Sequence, residues 1–186
     1  MLPQPLALKR LRLVNCGLSS AALNPFLEII RRGTVVESVD VGKNPLGDAA
    51  LSVLMGVLPP TLKRLAVGDT GCSDAGMMAL AEALPRMVHL EMLGCGDHPD
   101  VSDLGWSALA EALPKRPALR TVYANTCRIG SDGGRAIAAV LPTCGAALAT
   151  MQLIDSVANF ATENLLREAW CSSRSSEGLK FRWNFR

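Results

Sequence analysis

Potential metal ligands are most concentrated at residues 89–98, where His89, Cys95, Asp97 and His98 fall within ten positions. Imidazole, thiolate and carboxylate groups are the ligands that zinc prefers in proteins. However, the chain has no C-x-x-C pair, and Cys95 and His98 each occupy a column that recurs along the sequence. Core packing and hydrogen bonding to the backbone account for both residues, so we expect no metal site.

Other segments with reactive side chains also lack the spacing that catalysis or ligand binding requires. Residues 96–103 hold three carboxylates, Asp97, Asp100 and Asp103, but not at the positions of an EF-hand loop. Residues 130–134 are rich in glycine, yet no Gly-Lys-Ser/Thr follows them, so they do not form a P-loop. The G-x-S-x-G and H-E-x-x-H motifs are absent. We therefore expect a protein that is not an enzyme and that uses no cofactor.

Composition and charge exclude several classes of partner. The 186 residues include 19 basic and 17 acidic side chains, and the formal net charge is only +2. Such a balance gives no general attraction to nucleic acid or to an anionic membrane. No run of about 18 apolar residues predicts a membrane span. The first residues hold two prolines and early basic side chains where a signal peptide needs its apolar segment. We expect a cytoplasmic protein in a reducing, intracellular environment.

All six cysteines are expected to be buried free thiols. A chain of this size in a reducing compartment does not need disulfides, and free cysteine behaves as a small apolar residue. The six are Cys16, Cys72, Cys95, Cys127, Cys144 and Cys171.

A short pattern recurs along the chain, with starts at 8, 36, 62, 90, 119 and 148. Apolar residues stand at its first, fourth and sixth positions, as at Leu8, Leu11 and Leu13 in the first copy. This alternation predicts a half-buried strand. A small or polar residue follows at the ninth position, where it can bond the backbone that leaves the strand. The ninth-position residues are Cys16, Asn44, Thr70, His98, Cys127 and Ser156.

The second half of each repeat predicts a helix. An oxygen-bearing residue suited to helix capping comes first, and a small residue follows two positions later. Proline then follows four of the helical segments and ends them. The expected caps are Ser20, Asp48, Asp74, Asp103 and Ser131. The apolar pairs that define the buried helix face are Phe26/Ile30, Leu54/Leu58, Leu80/Leu84, Leu109/Leu113, Ile137/Leu141 and Leu166/Trp170.

A single strand and helix cannot close a core, so the repeats must stack. Stacked strands form a parallel sheet, and because helices are wider than strands the stack curves with the sheet on its concave face. The pattern resembles leucine-rich-repeat proteins of the ribonuclease-inhibitor-like type, whose strands read L-x-x-L-x-L-x-x-N/C-x-L. The resemblance covers about residues 8–184 and departs in the sixth repeat at Phe160 and Thr162. It implies an α/β fold, a right-handed β-α solenoid shaped as a horseshoe, in one domain at 1–186.

The two ends of the stack carry different expectations. Strict alternation near the C-terminus, with Leu179, Phe181, Trp183 and Phe185 on one face, predicts a terminal strand at about 179–185. No helical cap precedes the first strand. A solenoid normally caps both ends, so the N-terminal edge is expected to pair with another segment or chain, or to continue a longer protein.

The residues expected to face a partner alternate with the buried strand positions. They combine a basic patch, small central residues that leave room for a convex partner, and one aromatic side chain; Arg and Tyr are frequent anchors at interfaces. A solvated face with no ligand is the alternative interpretation. The candidate concave-face residues are Arg10, Arg12, Asp40, Arg64, Met92, Tyr123, Gln152, Lys180 and Arg182.

Three functions are compatible with this pattern. The leading hypothesis is a non-enzymatic protein–protein interaction scaffold whose partner has an acidic patch. The first alternative is a GTPase-activating protein resembling the Ran-directed leucine-rich-repeat family, which would need an exposed Arg or Asn at a nucleotide site. That family's acidic tail is missing. The second alternative is the ligand-sensing repeat segment of a larger intracellular receptor.

Overall fold

A computed structural model describes residues 8–32, 35–115, 117–144 and 147–173 of the chain. Six strands and six helices alternate along these residues. The strands are β1 (Arg10–Arg12), β2 (Ser38–Asp40), β3 (Arg64–Ala66), β4 (Met92–Gly94), β5 (Thr121–Tyr123) and β6 (Thr150–Gln152). The helices are α1 (Leu23–Arg32), α2 (Gly47–Val57), α3 (Asp74–Ala83), α4 (Asp103–Ala112), α5 (Ser131–Val140) and α6 (Phe160–Ser173).

The strands form one parallel sheet in chain order, from β1 to β6. Each strand begins two residues after a predicted repeat start, and neighbouring strands pair without any shift of register. Equivalent residues of successive repeats therefore lie side by side in straight rows across the sheet. This α/β arrangement is compatible with the expected β-α solenoid.

The core lies between the sheet and the helices. The central residue of every strand from β2 to β6 is buried, whereas Leu11 of the edge strand β1 is only half-buried. All six predicted apolar helix pairs are buried in the same core. Trp106 of α4 is buried in the same core. Helices that follow one another in the chain, from α1 to α6, also pack against one another.

The prolines end the helices as expected, although not abruptly. Helix α2 ends at Val57, before Pro59, and α3 to α5 each continue as a short 3₁₀ turn that contains the proline. Since proline cannot donate an amide hydrogen, a tighter terminal turn keeps some of the remaining carbonyls bonded. These turns span Leu84–Arg86, Leu113–Lys115 and Leu141–Cys144.

The three aspartates that were expected as helix caps act on a different helix from the one predicted. The Oδ1 atom of Asp48 accepts hydrogen bonds from the amides of Ser73 at 2.7 Å and Gly76 at 3.0 Å, which begin the helix of the next repeat. Asp74 bonds Ser102 and Gly105 in the same way, at 2.7 and 3.1 Å. These carboxylates satisfy amides that a helix start leaves unpaired, and in doing so they join adjacent repeats.

Asp103 extends the same series by one step. Its carboxylate accepts hydrogen bonds from the amides of Gly130 at 2.6 Å and Asp132 at 2.9 Å. Ser131 stands at the equivalent position of the following repeat, and its hydroxyl accepts a hydrogen bond from the side chain of Asn159 at 3.2 Å. We refer to Asp48, Asp74 and Asp103 as the aspartate ladder.

Asn44 has the role that its column predicts. Its Oδ1 atom accepts hydrogen bonds from the amides of Cys16 and Leu18, both at 2.9 Å, and its Nδ2 atom donates to carbonyls at the end of β2. A buried side chain thus satisfies the loop backbone of two repeats.

The predicted terminal strand at 179–185 lies outside the described residues, as do Lys180 and Arg182. Within the described part of the chain, no helix is both long and apolar enough to cross a membrane.

Candidate functional site

The side of the sheet opposite the helices is lined by the first and third residues of each strand, and we call it the sheet face. Its residues are exposed or half-buried in every strand, in contrast to the buried central position. The first row reads Arg10, Ser38, Arg64, Met92, Thr121 and Thr150. The second row reads Arg12, Asp40, Ala66, Gly94, Tyr123 and Gln152.

All seven of the predicted face residues that the structure describes lie on this surface. They divide into a basic end on β1 to β3 and a neutral end on β4 to β6. Arg10 and Arg64 are exposed and lie two strands apart in the first row, with Ser38 between them. Among the described residues neither arginine makes an ion pair.

Arg12 differs from these two arginines because it has a partner on the sheet. Its Nε atom lies 3.4 Å from Oδ2 of Asp40 on the neighbouring strand. The Arg12 side chain is 78% exposed, so solvent screens this ion pair and its contribution to stability is small. Among the residues of the two rows, the pair leaves Arg10 and Arg64 as the charges without an ion-pair partner.

Two adjoining hollows, each of about 220 Å³, occupy the sheet face. The first, which we call the basic hollow, contains Arg10, Arg12 and Arg64 together with Asp40 and Met92. The second, which we call the acidic hollow, extends to the loops that follow the strands. Its lining includes Ala66, Gly94, Asp69, Asp97 and Tyr123. Tyr123 is 40% exposed and forms one wall.

The glycines at the sheet face fall into two groups, those that packing between repeats requires and one that it does not. A Cβ atom on Gly96 would come within 2.6 Å of the carbonyl oxygen of Asn125, and one on Gly68 would lie 3.1 Å from that of Gly96. Packing between repeats therefore requires these two glycines. A Cβ atom on Gly94 would meet only Ala66 and the strand beside it, at ordinary distances of 3.5 Å and more. Packing therefore does not explain why residue 94 is a glycine.

Sequence reasoning missed the charged rim of the acidic hollow. Asp69 and Asp97 leave β3 and β4 with φ angles of 54° and 59°, in the left-handed region. The eighth residue of every described repeat has this conformation, so a periodic search at that position could have found them. Their carboxylates accept no hydrogen bond from a described residue. Lys43 occupies the same rim one repeat before Asp69.

The buried polar groups beneath the rim are used internally. The Nε2 atom of His98 lies 3.1 Å from the carbonyl oxygen of Val67, and its Nδ1 atom lies 3.5 Å from Sγ of Cys72. Burial raises the pKa of the Cys72 thiol to about 11, so it stays protonated and can donate to Nδ1. Within the described residues, no group of three His, Cys, Asp or Glu side chains is arranged to hold a metal ion.

The thiols follow the burial expectation only in part. Cys72, Cys95 and Cys127 are buried, and burial raises the pKa of Cys127 to about 11. Cys16 and Cys171 are exposed, in contrast to the prediction. Cys16 belongs to the edge repeat, which no preceding repeat covers in the described chain, and Cys171 lies on the outward side of α6.

Comparison with known proteins gives a related sequence and related solved structures. No protein-family model matches the chain. NACHT, LRR and PYD domains-containing protein 4C from Mus musculus is 36% identical over 89 residues, which cover 46% of this chain and 9% of that protein. The solved structure of leiomodin-1 actin-binding site 2 aligns with a TM-score of 0.58 at 13% identity, over 74% of this chain and 77% of that one. The first similarity supports leucine-rich repeats in general, and the second indicates a shared fold.

Proposed function

We propose that the chain is a non-enzymatic interaction scaffold that binds a partner protein on its sheet face. The observation that supports this most strongly is the grouping of unpaired arginines, an exposed tyrosine and a glycine that packing does not require. Arg and Tyr are enriched among residues that dominate binding energy, and small neighbours let a partner approach closely. The described chain arranges these three features in two rows of one sheet.

The proposal extends to the shape and the compartment of the protein. Parallel strands about 4.8 Å apart cannot match helices that are about 10 Å wide unless the stack bends. The proposed shape is thus a right-handed horseshoe of the ribonuclease-inhibitor-like type, with the sheet face concave and the helices convex. The proposed compartment is the cytoplasm, where reduced thiols persist.

The structural neighbour is itself named as an actin-binding site, so a fold of this kind serves protein binding in leiomodin-1. The partner of the present chain is proposed from charge instead. Arg10 and Arg64 at the basic hollow fit a partner with an acidic patch, and such a pair of surfaces associates faster at low salt.

Retention of a partner, followed by measurement with purified components, tests the proposal. The wild-type chain is immobilised on a solid support and incubated with an extract of the cells that produce it. The retained protein is then identified and purified. We expect the double variant Arg64→Glu/Tyr123→Ala to bind that protein at least about tenfold more weakly. Glu82→Arg, which changes an exposed charge on α3, should bind as the wild type does. Equal affinity for both variants would contradict binding on the sheet face.

A second candidate function is the ligand-sensing repeat segment of a larger receptor. The similarity to a short part of a protein named for three kinds of domain favours this candidate. The mass of the native protein in cell extract tests it. A band well above the 19.7 kDa of this sequence would support the candidate, and a band at that mass would contradict it.

A further inference from the structure

Charges without a partner are separated on the sheet face. Arg12 pairs with Asp40 at 3.4 Å, and Lys63 pairs with Glu37 at 3.5 Å at the start of the neighbouring strands. With these pairs set aside, Arg10 and Arg64 remain at the strand starts and line the basic hollow. At the opposite ends of the strands, Asp69 and Asp97 remain, together with Lys43, and line the acidic hollow.

The acidic hollow has the chemistry that recognises a cation on a flexible chain. Asp69 and Asp97 lie on adjacent repeats at its rim, and the ring of Tyr123 forms a wall two strands from β3. A carboxylate pairs with an ammonium or guanidinium group, and an aromatic ring attracts such a group within about 6 Å of its face. Gly94 and Ala66 leave the floor open for the alkyl stem of the side chain.

Two cations of the described chain also line the acidic hollow. Arg12 is paired with Asp40, and Lys43 lies beside Asp69 at the end of β2. The described structure holds no ion pair between Lys43 and Asp69. Both cations stand on the β1–β2 side. The carboxylate of Asp97, one repeat from Tyr123, is therefore further from them than the carboxylate of Asp69 is. A basic side chain from outside fits best between Asp97 and Tyr123, with Asp69 beside it.

We propose that the acidic hollow binds a Lys or Arg side chain of the partner, while the basic hollow binds an Asp or Glu side chain of the same partner. This inference rests on the proposed function and adds the chemistry of the ligand. Arg64 and Asp69 lie five positions apart along the chain, so their Cα atoms are no more than about 18 Å apart even in a fully extended chain. The two charges of the partner must therefore lie within a comparable distance of each other. The two hollows together fix the orientation of the partner.

Selection from a displayed library of random peptides tests this inference without a known partner. The library is selected on the immobilised full-length chain, and in parallel on the variant Asp69→Asn/Asp97→Asn. Asparagine tolerates the left-handed conformation of both positions, so the backbone should be unchanged. Asp100→Asn, which removes an exposed carboxylate outside the sheet face, is the matched control.

We expect peptides selected on the wild-type chain and on Asp100→Asn to share one basic and one acidic side chain. Replacing the basic residue of a selected peptide by Met should weaken its binding to the wild-type chain about tenfold, as measured by fluorescence anisotropy. The same replacement should have little effect on binding to Asp69→Asn/Asp97→Asn. This cycle isolates the contact between the hollow and the basic side chain.

Two other outcomes are distinguishable. If selected peptides lose affinity for Tyr123→Ala but show no preference for a basic residue, or bind Asp69→Asn/Asp97→Asn as tightly as the wild type, the inference is wrong and the proposed function stands. If no peptide depends on Tyr123 or Arg64, both the inference and the proposed function are wrong.

Discussion

The amide of Gly76 lies 3.0 Å from Oδ1 of Asp48, a residue of the preceding repeat. A Cβ atom at residue 76 would come within 2.7 Å of the same oxygen. Glycine stands at this helix position in the three repeats that follow a ladder aspartate, as Gly76, Gly105 and Gly133. The repeats that follow Ser20 and Ser131 instead have Ala50 and Thr162 there. The aspartate of one repeat thus determines the residue type that the next repeat accepts.

The first prediction concerns this coupling. Gly105→Ala places a Cβ atom 2.7 Å from both Oδ1 of Asp74 and Cγ1 of Val101, so we expect it to lower the free energy of unfolding by about 1–3 kcal/mol. Gly56→Ala is the matched control, because a Cβ atom there meets nothing within 4 Å. It should stabilise helix α2 by about 0.5–1 kcal/mol. Urea unfolding of both variants measures the difference, and equal effects would contradict the coupling.

The second prediction concerns the turn that follows each strand. Thr126 has a φ angle of 54°, a conformation that is costly for a β-branched residue. Asparagine adopts it more readily, so Thr126→Asn should raise the free energy of unfolding by about 1 kcal/mol. The reciprocal change, Asp155→Thr, at a φ angle of 52°, should lower it by a similar amount. A destabilised Thr126→Asn variant would show that Thr126 has another role.

The third prediction concerns the dependence of the free energy of unfolding on pH. Burial lowers the pKa of His98 below its ordinary value of 6.5, although the Val67 carbonyl and the Asp69 and Asp97 carboxylates act in the opposite direction. The unfolded chain therefore binds a proton near pH 6.5 that the folded chain does not. The stability contributed by neutral His98 is complete above that pH and is lost as pH falls below it.

Unfolding measurements between about pH 7 and pH 5 check this sign, since one such group gives a slope of at most about 1.4 kcal/mol per pH unit. His98→Gln should reduce the slope, because glutamine can still donate to Val67 but does not titrate. An unchanged slope would contradict the assignment.

At Asp48, burial acts to raise the pKa, but hydrogen bonds from Ser73 and Gly76 outweigh it and lower that pKa. Its contribution is therefore lost only in stronger acid, as pH falls below the ordinary value of 3.8.

Much of the fold can be predicted from the sequence because the same pattern of apolar and polar residues recurs in each repeat. Six copies place every strand in the same register, with its central residue at the fourth position of the repeat, and the buried pairs such as Phe26/Ile30 follow from helical spacing within one repeat. The destination of the Asp48 carboxylate cannot be predicted in this way. It depends on which helix start lies nearest to the carboxylate after the repeats stack. The distance between the carboxylate and that helix start is set by the packing of two repeats, so the pattern within one repeat does not reveal it.

The candidate site could also be predicted only in part from the sequence. The sequence shows Gly94 and Gly96 only as two glycines. The short distance from a Cβ atom on Gly96 to the carbonyl oxygen of Asn125 shows that packing requires Gly96, whereas no such contact exists at Gly94. Alternation along the strands located Arg64 and Tyr123 correctly on the sheet face. It did not reveal Asp69 and Asp97, because these residues lie beyond the strand ends, where alternation no longer indicates direction.

The affinity of a partner for the variant Gly94→Arg is the most direct test of binding on the sheet face. A Cβ atom at Gly94 has ordinary contacts only, so the arginine should extend over the acidic hollow without disturbing the fold. Gly56→Arg, which adds the same side chain on the helix layer, is the control. We predict that a partner retained by the wild-type chain binds Gly94→Arg at least about tenfold more weakly and Gly56→Arg as tightly as the wild type. Wild-type affinity for a folded Gly94→Arg variant would contradict the sheet face as the binding surface.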